Sequence, residues 1–287
     1  MKVTKTYKNI ILKLKNIYIK TLKNKIRSTI IITAENQERF IERCLKSCLN
    51  QSVKNIEIII VFTKLKNINT LQRRYLSKNI IFLNIPKKIN NPTQDQLFKI
   101  KQGLFISKGK YIFLLDGDDS YKKNKVKEAI NSIKDKKVLF LDNYENNKNN
   151  IKKVNKVHQF KKANLYKILI NAWPKGVCTS CIVLNRDLLN EFFKKIKIKK
   201  FNYLAIDILL TIYCDIKYQI IKPTKTLTKK YYLKNSVDSY YVGFFNKYYW
   251  FRRSEQHDFY TYINKSIKLN LDFIVTKIIN FLLKALN

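Results

Sequence analysis

From Ser28 onward, short unbroken apolar runs alternate with stretches whose apolar residues recur at helical spacing. "STIIITA" (28–34) reads as a strand. The next stretch, "NQERFIERCLKSCLNQ" (36–51), sets Phe40, Ile41, Cys44, Leu45 and Cys48 on one helical face. "IEIIIVF" (56–62), "NIIFLNI" (79–85), "KYIFLLD" (110–116) and "KVLFLDN" (137–143) are further strands, with helices over 94–109 and 122–136 between them. Strands this continuously apolar need cover on both faces, and strands separated by helices imply a mostly parallel α/β sheet flanked by helices.

The second half is less regular. "TSCIVLNR" (179–186) reads as a strand leading into a helix at 187–196, and "FNYLAIDILLTIYC" (201–214) as another apolar helix. The tail "DFIVTKIINFLLKALN" (272–287) is amphipathic. Three units follow: a basic amphipathic segment over 1–27, an α/β domain over 28–240, and a helical C-terminal extension over 241–287.

In an open parallel sheet, ligands gather beyond the carboxyl ends of the strands. Thr33–Asn36, Phe62–Lys64 and Asp116–Asp119 all reach that edge. Asp116, Asp118 and Asp119 place three of 20 acidic residues within four positions of a chain carrying a net charge of +38. Such crowding is costly unless a cation or hydrogen bonds compensate it. Carboxylates at a strand end suit a hard divalent cation, Mg²⁺ or Mn²⁺, shared with substrate phosphates. A solvated loop with an Asp capping the next helix is the plainer alternative.

Charge and composition narrow the partners. The Lys surplus accompanies surpluses of Ile and Asn, which share AT-rich codons, so the charge is a weak guide to function. It still favours anionic partners: nucleotide phosphates, an anionic membrane surface or, less readily, nucleic acid, for which no binding motif stands in the chain. Lysines interrupt the apolar residues of the first 25 positions, which therefore do not read as a signal peptide, and no apolar run is long enough to span a bilayer. Five cysteines, an odd number, suit a reducing cytoplasm. Cys178 and Cys181 form a CxxC, and Cys44 and Cys48 lie one helical turn apart; reduced, partly buried thiols are expected, with a joint zinc site as the alternative. His158 and His257 have no partners at metal or triad spacing.

The motifs taken together resemble the family 2 glycosyltransferases of the GT-A fold. The resemblance rests on "TIIITAEN" (29–36), "CLKSCLNQSVKNIEIIIV" (44–61), "KQGLFISKGKYIFLLDGDDSY" (101–121) and the acceptor-side "TSCIVLNRDLL" (179–189). It implies inverting transfer of a sugar from a nucleotide-sugar donor to a hydroxyl of a glycan or lipid-linked acceptor, in surface polysaccharide, lipopolysaccharide or other glycan synthesis. By that likeness Asp116 lies near the donor ribose, Asp118 faces the metal, and Asp119 supports it or ligates as well. Asp207 in "YLAIDILL" is the matching catalytic base, with Asp215 as its competitor and a helix carboxylate paired with a lysine as the plainer reading. The enzyme is expected in the cytoplasm, peripheral on the inner membrane face, with a homodimer among its expected assemblies.

Departures from the family pattern matter as much. The usual Val-Asp-Asp-Gly-Ser at the end of the second strand is Val61-Phe62-Thr63-Lys64-Leu65 here, so Phe62 stacks or packs and the donor base stays open. Glu35 replaces the tyrosine after the first strand and offers either a base-edge acceptor or a plain solvated loop carboxylate. Lys234 stands where a histidine is common and is a candidate diphosphate contact. Thr33 and Thr63 complete the expected nucleotide-sugar site. Trp173-Pro174 offers either a sugar-stacking wall or packing. The missing carboxylates also leave room for a second class of function, an inactive GT-A scaffold that binds or assembles.

Overall fold

The computed structural model describes residues 27–76, 79–87, 89–148, 151–155, 177–231, 241, 243–267 and 269–285. Lys234, Trp173-Pro174, His158 and the basic segment before Arg27 lie outside the described residues.

The apolar runs build one sheet. β1 (Ser28–Glu35), β2 (Ile56–Thr63), β3 (Ile80–Asn84) and β4 (Tyr111–Asp116) all pair in parallel. With β6 (Val138–Leu141), β9 (Ile182–Asn185) and β10 (Gln219–Ile221) they form a seven-stranded sheet in the order β10-β6-β9-β4-β1-β2-β3. β9 runs antiparallel to both its neighbours.

Side chains alternate between two cores, as strand geometry dictates. Ile31, Ile59, Val61, Ile112 and Leu114 pack with α3 (Pro92–Ile106), α5 (Arg186–Lys195) and α6 (Ile206–Lys217). Ile30, Ile32, Ile58, Ile60, Phe113 and Leu115 pack on the other face with α1 (Glu38–Leu49), α2 (Ile68–Arg74) and α4 (Lys125–Ile133). Each such side chain contributes roughly 1.5–3 kcal/mol by leaving water, which is why the purely apolar runs fix the fold. α3 lies so close to β1 that a Cβ on Gly103 would stand 2.7 Å from Ile31 Cγ2.

Two boundaries differ from the sequence reading. "TSCIVLNR" splits into a 3-10 turn at Thr179–Cys181 and the short β9. Residues 201–205 stay outside α6, because the N–H groups of Asn202 and Tyr203 donate to Glu255 (3.0 and 2.7 Å).

A second, four-stranded sheet has no apolar signature. It comprises β5 (Ser120–Tyr121), β7 (Asn143–Lys148), β8 (Ile151–Asn155) and β11 (Thr226–Lys230), in the order β5-β11-β7-β8. The C-terminal residues form α7 (Lys247–Asn264) and α8 (Leu271–Ala285). Phe259 and Ile263 of α7 enter the core shared with α3, α5 and α6, so α7 is part of the α/β unit's packing.

Candidate active site

Parallel register brings the expected residues to one edge. Thr33 pairs with Asp116, and Glu35 with Thr63. The loop after β4 then turns tightly, with Gly117 N–H donating to Thr33 O (2.9 Å) and Asp119 N–H to Asp116 O (3.0 Å). A Cβ on Gly117 would lie 2.5 Å from Gln37 Oε1 and 3.0 Å from Ala34 Cβ. A methyl group there would have to displace the end of the Gln37 side chain and crowd Ala34.

The three aspartates are held differently. Asp116 Oδ1 accepts from Gln96 Nε2 (2.7 Å) and Thr33 Oγ1 (3.4 Å), while its N–H donates to Ser180 Oγ (3.1 Å). Asp119 is buried, and both its oxygens are engaged: Oδ2 accepts from Ser180 Oγ (2.6 Å) and Oδ1 from Tyr231 N–H (2.9 Å). It braces the loop from below. Asp118 is partly exposed, and Arg43 fixes its backbone by donating to its carbonyl (2.6 Å). The Arg43 guanidinium also lies 3.5 Å from the Tyr231 ring centre.

Burial pushes the Asp116 carboxyl well above the usual range, and the charges of Asp119, Asp118 and Asp207 add to the push. Burial and then Asp118 hold Asp119 at about 7. Burial also raises Asp118, against the pull of Lys230 and Arg43. Burial is thus the first reason these carboxyls resist ionising, with Lys230 working against it in all three.

Asp207 sits in the first turn of α6 and is 8% exposed, within a helix whose residues 206–214 are all buried. Its Oδ1 accepts from Ile208 N–H (2.8 Å). Its charge contributes least among the causes that raise the Asp116 pKa, after burial and the charges of Asp119 and Asp118. Asp215, the competitor, lies near the other end of α6, about 12 Å along the helix axis.

At the β1–β2 end, Glu35 is met by Lys87 and Lys99, and Lys99 also bonds Asp95 (2.6 Å). Burial works upward on Glu35, but the two lysines outweigh it and hold its carboxyl below the ordinary range. Of the two roles expected for Phe62, packing is the one realised: it is 3% exposed and faces the core on the α1 side. Its ring offers no face to a base. Thr63 differs, since its buried Oγ1 has no hydrogen-bond partner among the described residues.

Gln96, Ser180, Arg43, Lys87 and Lys99 were not anticipated as site residues. Gln96 carried a faint signal, since "NNP" (90–92) announces a helix start: Asn91 Oδ1 caps Thr93 N–H (3.0 Å) and Gln94 N–H (3.2 Å). Ser180 carried none.

The donor set suits a hard cation: carboxylate oxygens in a partly buried loop. Among the described residues no group of three or more His, Cys, Asp or Glu converges as a metal cage. A divalent ion held here would therefore need oxygen ligands from phosphates and water beside the one or two carboxylates. It leaves the alternative zinc site unassembled among those residues. All five cysteines are buried free thiols, with Cys178 and Cys181 Sγ 3.1 Å apart. Behind the loop, a cavity of about 580 Å³ is lined by Arg43, Lys46, Lys122, Lys123 and Lys229, among others, a basic margin that draws anions toward this edge.

The sequence pattern of glycosyl transferase family 2 matches residues 29–195. No curated protein sequence matches the chain. Solved structures share its fold at low identity. S. aureus TarS 1–349 in complex with UDP is 13% identical, with a TM-score of 0.57, covering 88% of this chain and 69% of its own. The complex of the same protein with UDP-GlcNAc is 16% identical, with a TM-score of 0.55, 88% of this chain and 70% of its own. The mannosyltransferase PcManGT from Pyrobaculum calidifontis, in complex with GDP-Man and Mn2+, is 14% identical, with a TM-score of 0.53, 89% of this chain and 69% of its own.

Proposed function

The chain belongs to glycosyl transferase family 2 and has the GT-A fold, and from that premise we propose that it transfers a sugar, with inversion, from a nucleotide-sugar donor to an acceptor hydroxyl. The observation that carries the reading is the register that sets Asp116, and with it the Asp116–Asp119 loop, beside Thr33 at the carboxyl edge of the parallel strands.

Asp207 takes the proton of the acceptor hydroxyl as its oxygen bonds to the anomeric carbon and the bond to the diphosphate oxygen breaks. Asp118 and the donor diphosphate would hold Mg²⁺ or Mn²⁺, which supplies charge compensation for the departing diphosphate. Gln96, Thr33 and Ser180 keep Asp116 oriented toward the donor. The Glu35 carboxylate, with about a fifth of its side chain exposed, is the polar group at this end that faces a donor base, with the buried Thr63 beside it in register.

The test is turnover of a panel of UDP- and GDP-sugars with Mn²⁺, comparing the wild type with Asp207→Asn. Donor hydrolysis or transfer that falls by about 10²–10⁴ in the variant supports the reading. Turnover unchanged in Asp207→Asn removes Asp207 as the base. No binding of any nucleotide sugar by the folded wild type favours the inactive scaffold.

A further inference from the structure

The last helix is built inside out. The three buried residues of α8 are all polar: Asp272, Thr276 and Asn280. Six large apolar residues, Leu271, Ile274, Val275, Ile278, Phe281 and Leu282, are instead 40–72% exposed. At 3.6 residues per turn they share an arc of about 120°. A helix of a globular protein ordinarily turns such a stripe toward the core.

Directional bonds fix this orientation. Asp272 accepts from Arg253 Nε (2.8 Å) and pairs with His257 Nε2 (2.9 Å), both on α7. Lys277 Nζ and Asn280 Nδ2 donate to Ser254 Oγ (3.0 and 3.3 Å). His257, unassigned by its spacing in the sequence, is thus part of the seam that holds α8 polar side inward. Ile267 and Leu269, before α8, extend the exposed apolar surface.

Charge identifies what covers it. The acidic residue of α8, Asp272, is buried; of its lysines, Lys277 is paired with Asp258 of α7 and Lys284 stands exposed, so α8 itself presents no accessible acid. Residues 241–287 carry seven Lys and Arg against three Asp and Glu. A second copy fits less well, because a two-fold contact through this face would bring two basic C-terminal regions together. Among the described residues no helix is long and apolar enough to cross a membrane. α8 is about 22 Å long, which suits lying in the interface plane.

We infer that α8 docks the protein on an anionic lipid bilayer, with the Leu271–Leu282 stripe at the acyl boundary and the lysines among the headgroups. This does not depend on the reading of the active site.

The test is co-sedimentation of the full-length protein with vesicles of phosphatidylcholine alone or with about one-third phosphatidylglycerol. The wild type should sediment with the anionic vesicles and not with the neutral ones. The double variant Ile278→Ser/Phe281→Ser should lose partitioning by about 100-fold or more, with an unchanged melting curve because both side chains are already exposed. Undiminished binding of that variant, absence of wild-type binding, or equal binding to neutral vesicles overturns the inference. So does loss of binding on removing residues 1–26 while the double variant still binds. A wild-type dimer by light scattering that the double variant converts to monomer, without vesicle binding, assigns the face to a second copy instead.

Discussion

Replacing Lys125 by methionine tests how the site is supported from behind. Lys125 and Asp142 form an ion pair with both side chains fully buried. Lys125 Nζ also donates to Cys181 O (3.3 Å) and Thr228 Oγ1 (3.2 Å). Asp142 Oδ2 accepts from Leu227 N–H (3.1 Å) and Thr228 Oγ1 (2.9 Å). The pair therefore ties α4 and β6 to β11 and to the turn that carries Ser180. Burial already raises the Asp142 pKa against the pull of Lys125, so removing the ammonium strands a carboxylate without water. Breaking one side of a buried pair costs about 3–5 kcal/mol. For a chain of this size that lowers Tm by on the order of 10 °C. Adding Asp142→Asn removes the stranded charge, and the double variant should be at least about 2 kcal/mol more stable than the summed single effects imply. Urea denaturation followed by circular dichroism measures all four corners of the cycle. Additive losses, or a Lys125→Met cost below about 1 kcal/mol, would refute the claim that this pair is an electrostatic unit.

Ser180→Ala removes the hydroxyl that joins Asp116 and Asp119; it should cost about 1–3 kcal/mol of stability and weaken metal-dependent donor binding, both read by melting curves with and without nucleotide. Gly117→Ala forces a methyl group against Gln37 and Ala34, and should lower donor affinity more than it lowers the melting temperature, since the strain falls on the loop. Glu255 predicts a pH effect. Burial holds its folded pKa at about 7, above its ordinary 4.5, so its contribution to stability falls as pH rises from 4.5 toward about 7 and then levels off. Glu255→Gln should flatten that slope by a few kcal/mol in urea titrations at pH 5 and pH 8, and an unchanged slope would contradict the assignment.

What the sequence disclosed follows the physics of each part. Ile30–Ile32, Ile58–Val61 and Ile112–Leu115 announce buried strands because both their faces are apolar. The aspartates stood out because their charge contradicts their position. The small sheet was invisible, since strands such as "NYENNK" and "TLTKK" gain their order from pairing and from the Asp142–Thr228 bonds rather than from an apolar face. Ser180 could not be found from pattern, because a hydroxyl in a 3-10 turn acquires meaning only when β9 sets it beside β4. Phe62 illustrates the opposite case: strand alternation decides which way it points, and it points to the core. The amphipathicity of the tail was legible, yet periodicity alone does not say which face turns inward; Arg253 and His257 decide that.

The central claim is that the loop after β4 holds a divalent cation against a donor diphosphate through Asp118. Calorimetric titration of UDP and GDP into the wild type and Asp118→Asn, with Mn²⁺ and with a chelator, tests it most directly. The account predicts binding by the wild type with Mn²⁺, weakened at least about tenfold by the chelator and by the substitution alike, since a charge-assisted contact is worth about 1.5–3 kcal/mol. Equal affinity in all four titrations would contradict it.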